Sequence, residues 1–265
     1  MVRSVVPRWD MVLRQRSYWT AAYQRTWRAS VFSSFLVPLL YVLAMGVLLG
    51  RYVDARGGSL EGAPSYLAFV APGLVAAQAM QTAMGETTWP VMAMTKWQRT
   101  YYAMTASPLA VADIVAAQLL FVAFRLAVTC GLFLLVMAPF GVFGSWWGVL
   151  LAWPVTVLTG MSFAGLLHAF ASTVDDSTSF TILFRLMVVP LFLLSGAFFP
   201  VAGLPVVLRW LAQVAPLWHG VDLTRMLVLG QVRPGQAVLH LAYLLVLSLA
   251  GWVLAVRRLD ARLEV

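Results

Sequence analysis

Three histidines, His168, His219 and His240, a single lysine, Lys96, and ten carboxylates are the groups from which this chain could build nucleotide, metal or hydrolytic chemistry. A P-loop needs Gly-x4-Gly-Lys-[Ser/Thr], so that backbone amides and the lysine surround the phosphates. Lys96 is followed by Trp97 and no such run exists, so nucleotide-driven work would come from another chain. The histidines are distant in sequence, and neither HExxH nor CxxC spacing occurs. Ser162, in Gly160-Met-Ser162-Phe-Ala164-Gly165, misses Gly-x-Ser-x-Gly by one residue and reads as a small-residue helix contact. Cys130, the only cysteine, reads as a small packing residue.

Charges inside apolar runs are the remaining candidates. Arg125 lies roughly 16 Å past Ile114 along a helix. An arginine at that depth costs at least ~2.5 kcal/mol if it faces lipid. It is a candidate for function, or for structural pairing with Glu86. Arg185 is near the end of a later apolar run, where snorkelling suffices. Asp175 and Asp176 precede that run and read as helix caps rather than metal ligands. Asp222 and Arg225, three apart, read as a local helical ion pair.

The elements that must position these groups are membrane helices. The 265 residues are 62% hydrophobic and 11% charged, with a mean hydropathy of +0.85, against roughly 25% charged in soluble domains. Six apolar segments, Val31–Gly50, Tyr66–Gly85, Ile114–Ala138, Trp146–Ala171, Phe180–Phe199 and Ala237–Val256, each suit a hydrocarbon core of roughly 30 Å. The net charge of +8 belongs almost wholly to arginine beside those segments, a bilayer-anchoring pattern rather than a nucleic-acid face. With both termini inside, eleven basic residues (Arg3, Arg8, Arg14, Arg16, Arg25, Arg28, Lys96, Arg99, Arg257, Arg258, Arg262) are cytoplasmic. Five (Arg51, Arg56, Arg209, Arg225, Arg233) are outside, and this bias favours that orientation. Residues 1–28 lack an apolar core, so the first span is expected to serve as its own insertion signal. No matching halves are visible, which weakens an inverted-repeat carrier.

Residues 8–30 mix arginines with Trp9, Leu13, Trp19, Tyr23 and Trp27, as an amphipathic helix on the cytoplasmic surface would; a basic tail is the alternative. The outer segment 51–65, with Gly57, Gly58, Gly62 and Pro64, reads as a flexible connection. Residues 88–113 combine Lys96, Trp97, Arg99, Tyr101 and Tyr102 with few other charges, the composition of a protein-docking surface or of an interfacial aromatic belt. Residues 188–219 are too apolar for a surface loop and too broken by proline and glycine for a plain span, with helix ends expected near Pro200, Pro205 and Pro216. Such backbone survives at membrane depth only where protein or a water-filled cavity covers it.

In motif order, Tyr66-Leu-Ala-Phe69-Val-Ala-Pro72-Gly73, Thr105-Ala-Ser-Pro108-Leu109 with Asp113-Ile114-Val115, and Ser195-Gly196-Ala-Phe198-Phe199-Pro200 resemble the ABC-2 permeases, the membrane subunits of ABC exporters. The stretch from Ala215-Pro216-Leu217-Trp218-His219 to Gly230 is similar to the lipooligosaccharide-export and antibiotic-export branches of that family. The resemblance implies an all-α membrane protein, residues 1–265 forming one transmembrane domain. Residues 1–30 would be the interfacial helix, 88–113 the coupling loop, and 200–236 an outer re-entrant hairpin between spans five and six. It implies no catalytic residue, metal or cofactor on this chain, with ATP and magnesium bound by two cytoplasmic ATPase subunits. It also implies a second permease copy, identical or related, in a bacterial inner membrane. Lys96, Trp97, Arg99, Tyr101 and Tyr102 would then contact the ATPase; Thr95-Lys96-Trp97-Gln98 departs from the more acidic pattern of many relatives.

The expected work is export of an amphipathic or lipid-linked molecule, such as a glycolipid, lipooligosaccharide or hydrophobic drug. Phe69, Gln78, Gln81, Phe192 and Phe198 are expected along its path, with Gln78 and Gln81 equally suited to gluing helices. Ser195, Gly196, Phe199, Pro200, Pro216 and His219 are expected at the outer gate. A membrane-embedded lipid-modifying enzyme would need convergent Asp, His or Lys, and the scattered ionisable residues argue against it. An ATP-independent channel or carrier is the other rival.

Overall fold

The structure, a computed structural model, describes residues 6–55 and 62–264. Arg3 and Arg56, and the centre of the connection expected to be flexible, with Gly57 and Gly58, lie outside these residues. Among the described residues every regular element is helical. In chain order these are α1 (Trp9–Arg14), α2 (Arg16–Tyr41), α3 (Tyr66–Trp97), α4 (Thr100–Thr105), α5 (Val111–Met137), α6 (Trp146–Thr173), α7 (Thr178–Leu194), α8 (Val206–Val214), α9 (Pro216–Val228) and α10 (Pro234–Leu263).

Among the described residues four helices are long and apolar enough to cross a membrane: α3, α5 with its extension to Phe140, α6 and α10. Local chemistry starts them where the sequence changes character. Ser65 Oγ accepts from Ala68 N at 3.2 Å and Ser145 Oγ from Gly148 N at 3.1 Å, each satisfying an orphan donor of a first turn. Pro234 opens α10 at a position where a missing N–H costs nothing.

The first apolar run is embedded in a longer helix. α2 passes without a break at residue 30 into a π-helical stretch, Val42–Leu49, and then Gly50–Asp54, because nothing between Trp27 and Phe32 stops a helix. The break lies earlier, at Gln15, between α1 and α2. The fifth apolar run is shorter than its composition suggests: α7 ends at Leu194 and contains a π-helical turn, Phe184–Val188. Pro190, which has no N–H to give to an i−4 carbonyl, follows that turn directly.

α6 is the hub, packing against α10, α3, α9 and α5. Its contact with α10 depends on glycine: a Cβ on Gly165 would lie 2.6 Å from the Gly251 carbonyl carbon, so the two backbones touch. α3 is the most enclosed spanning helix, 78% buried over its apolar window against 17% for α10, which places α3 centrally and α10 at the periphery.

The amino-terminal segment is pinned to the start of α5. Arg8 donates from its backbone N to Asp113 Oδ1 (2.7 Å), from Nη2 to Asp113 Oδ2 (2.9 Å) and also to the Pro108 carbonyl (2.5 Å). Asp113 also accepts from Ala110 N at 2.9 Å, so one fully buried carboxylate caps α5 and holds the residue that precedes α1. Trp19 then stacks on Phe121 of α5, with ring centroids 5.0 Å apart.

Candidate functional site

At one end of the helices, α3 stops at a turn through Arg99, whose φ of 51° is uncommon for a residue with a side chain. The turn divides the expected coupling residues. Lys96, Trp97, Arg99 and Tyr102 face outward, Trp97 being 58% exposed. Tyr101 is wholly buried: its hydroxyl donates to Gln118 Oε1 on α5, and the same oxygen lies 3.1 Å from His168 Nε2 on α6. Burial pushes the Tyr101 phenol well above its ordinary range, so it remains a donor. Tyr101 is therefore an anchor joining the turn to two spanning helices, and the exposed residues around it form the surface.

That surface extends to two other connections. Lys96 Nζ donates to the Asp175 carbonyl at 2.5 Å, and the Asp175 carboxylate pairs with Arg262 near the end of α10. The Arg262 guanidinium holds the Asp175 carboxyl below the usual carboxylate range. Asp176 Oδ1 accepts from Thr178 N at 3.1 Å, capping α7, whereas Asp175, expected to share that cap, is drawn to Arg262.

At the opposite end, two sequence motifs meet. A Cβ on Gly73 would stand 2.7 Å from the Ala197 Cα, so the start of α3 and the Ser195–Pro200 turn are in backbone contact. Tyr66 donates to the Phe198 carbonyl at 3.4 Å, and Ser195 Oγ donates to Phe192 O at 2.8 Å and accepts from Ala197 N. The joint is held by Arg225 of α9, which donates from Nε to Phe69 O (3.2 Å) and from Nη2 to Gly196 O (2.6 Å). Its guanidinium sits 3.9 Å from the Phe69 ring centroid. Asp222 reaches away from Arg225: the local helical pair expected from spacing is replaced by a contact between Asp222 Oδ2 and His240 Nε2 at 3.1 Å.

His240 continues the chain to His219, Nδ1 to Nδ1 at 2.7 Å, across α9 and α10. Only one of those nitrogens can carry the shared proton. His219 also stacks on Tyr243, centroids 3.9 Å apart. Burial, then the neighbouring His240, lower the His219 pKa from 6.5 to about 4, so this imidazole is neutral at physiological pH. The unfolded chain thus binds a proton that the folded chain refuses, and stability rises with pH across that window. The apparent melting temperature should therefore fall as pH drops from about 7 to about 5, and His219→Asn should flatten that dependence. An equal slope in the variant would contradict the assignment.

The expected path residues separate. Phe69 is fully buried beneath Arg225. Gln78 is half-buried and bonds Thr82 Oγ1 at 3.4 Å, Gln81 is exposed on α3, and Phe192 and Phe198 form an edge-to-face pair 4.9 Å apart. Of the outer residues, Ser195 and His219 are buried, Phe199 is 38% exposed and Pro216 begins α9. Arg125 and Glu86 are paired, Nη2 to Oε1 at 2.8 Å, with Tyr23 of α2 against the guanidinium at 5.4 Å. The Gln118–His168 contact and the carbonyl partners of Arg225 are not foreseeable from spacing; an amide inside an apolar helix and an arginine in an apolar stretch are the signals the sequence carries.

Long apolar helices around a glycine-lined hub, with polar joints at both ends, define a multi-pass helical membrane protein. The ABC-2 type transporter family matches residues 12–229, and the chain belongs to that family as a transport permease. It is 34% identical over 219 residues to nodulation protein J of Rhizobium leguminosarum bv. trifolii, covering 80% of this chain and 81% of that protein. The same-named protein of Sinorhizobium fredii is 33% identical over 253 residues, 92% and 94% of the two chains. That of Rhizobium leguminosarum bv. viciae is 31% identical over 252 residues, covering 92% and 95%.

Proposed function

We propose that this permease is the membrane subunit of an ATP-driven exporter and moves an amphipathic or lipid-linked molecule out of the cytoplasm or inner leaflet. The observation that carries the reading is the division at Arg99. Trp97, Lys96, Arg99 and Tyr102 offer an exposed aromatic and basic face, while Tyr101 ties the same turn rigidly to α5 and α6. A push on the exposed face is thereby delivered to the helices. Residues 88–113 would be the coupling loop, received by a groove on each of two cytoplasmic ATPase subunits that bind ATP and magnesium.

In this reading α2 and α7 are two further spans, giving six, with both termini cytoplasmic in a bacterial inner membrane. The start of α2 lies along the cytoplasmic interface, and residues 200–236, carrying α8 and α9, form the outer re-entrant region. Exposed apolar side chains on α2 (Phe32, Leu40), on its π-helical continuation (Leu48) and on α7 (Ile182, Leu186, Leu193) lack protein cover within one chain. A second permease copy, identical or related, beside them would place Gln78, Gln81, Phe192 and Phe198 near the path and the Ser195–Pro200 turn, Pro216 and His219 at its exit.

Co-expression with an ABC ATPase subunit should yield a complex with vanadate-sensitive ATP hydrolysis. Liposomes holding the complex should move substrate only when ATP is supplied. Full-rate movement by the permease alone would overturn the proposal.

A further inference from the structure

At the outer end, α8, α9 and the start of α10 enclose a cavity of about 960 Å³ with a markedly basic lining. Arg209 and Gln213 face it from α8, Arg225 and Asp222 from α9, Arg233 from the residue before α10 and Gln236 from its first turn. Asp222 is the one carboxylate among the described lining residues, and His240 engages it. Arg209 Nη2 is held by the carbonyls of Ala202 (2.5 Å) and Leu204 (3.2 Å), which orient the guanidinium, while its Nε is buried with no partner among the described residues. Arg233 is exposed and bonded only to the neutral amide of Gln236 within the lining, Nη1 to Oε1 at 3.2 Å.

The other face of α8 says where this cavity sits. Val206, Val207, Trp210, Leu211 and Val214 are between 59% and 70% exposed, an apolar stripe opposite Arg209 and Gln213. A short helix with that division lies in the membrane interface with its apolar face among acyl chains. Arg209 is then at headgroup depth, and Arg233, just ahead of the last spanning helix, is at the same boundary.

We infer that this outer cavity binds a phosphate ester, held between Arg209 and Arg233 and presented by a lipid of the outer leaflet. The exposed Arg233 guanidinium matches the paired oxygens of a phosphate, Arg209 adds a second positive charge, and Gln213, Gln231 and Gln236 supply neutral amides for the groups esterified to it. The inference depends on the cavity and the apolar face of α8; its outer-leaflet placement rests on the orientation proposed above, while ATP-driven export is not required.

Full-length protein in neutral detergent is titrated by calorimetry with dioctanoyl phosphatidylglycerol, with glycerol phosphate and with dioctanoylglycerol. The phospholipid should bind saturably and dioctanoylglycerol should not. Glycerol phosphate binding at least about tenfold more weakly identifies the lipid as the source of the phosphate; equal affinity assigns the same site to a soluble phosphate ester. The double variant Arg209→Gln, Arg233→Gln should weaken phospholipid binding by at least about tenfold. Because Arg209 also braces the backbone, a second variant, Gln231→Glu with Gln236→Glu, places two carboxylates at exposed rim positions and should weaken binding to a similar extent. Absence of saturable binding by either phosphate compound, or binding unchanged in both variants, overturns the inference.

Discussion

Replacing Arg225 with Met is expected to lower the stability of the purified permease by about 3 kcal/mol or more, since two charge-assisted hydrogen bonds are lost, each worth about 1.5–3 kcal/mol. The change removes the donors to Phe69 O and Gly196 O and the cation over the Phe69 ring. What loosens is the joint between the start of α3, the Ser195–Pro200 turn and α9. Thermal unfolding in detergent and protease sensitivity near residue 196 would both report it. Arg225→Lys should recover less than half of the loss, because a lysine ammonium lacks the planar fork that reaches two carbonyls. Wild-type melting behaviour in Arg225→Met would show that the joint is held by apolar packing alone.

The second expected result is a contrast between neighbours. Tyr101→Ala should destabilise the protein by about 3–5 kcal/mol, as large aromatic deletions in a packed core do. It also strands Gln118 and His168 without the phenol. Trp97→Ala, at a 58% exposed position, should change stability by no more than about 0.5 kcal/mol yet reduce ATPase binding or stimulated hydrolysis. The gentler Tyr101→Phe keeps the ring and removes only the hydroxyl, so its effect on hydrolysis at full assembly measures transmission separately from folding. If Trp97→Ala left complex formation and hydrolysis untouched, the docking face would lie elsewhere.

These two residues also show what a linear reading reaches and where it stops. The apolar runs, their caps at Ser65 and Ser145 and the boundaries at Pro200, Pro205 and Pro216 follow from local chemistry, whereas Pro72 and Pro154 sit inside unbroken helices. Whether Trp97 or Tyr101 faces outward depends on a left-handed turn at Arg99, a residue with no special liking for that conformation. Spacing on one helix likewise pairs Asp222 with Arg225. The structure gives Asp222 to His240, eighteen residues away, because α10 packs beside α9 and brings an imidazole closer. Glu86 and Arg125 were easier: two opposite charges in adjoining apolar runs have few alternatives.

The bond from Arg8 to Asp113 spans 105 positions of the chain. A ribosome delivers Arg8 early and Asp113 only when α5 begins to emerge, so the amino-terminal segment has no docking place while α2 and α3 are being synthesised. Emergence of the first turn of α5 is thus the earliest moment at which the first helices can be clasped. A nascent chain halted before that point would carry its aromatic and arginine-rich leading segment unattached, open to quality-control proteases that recognise an unfinished membrane protein.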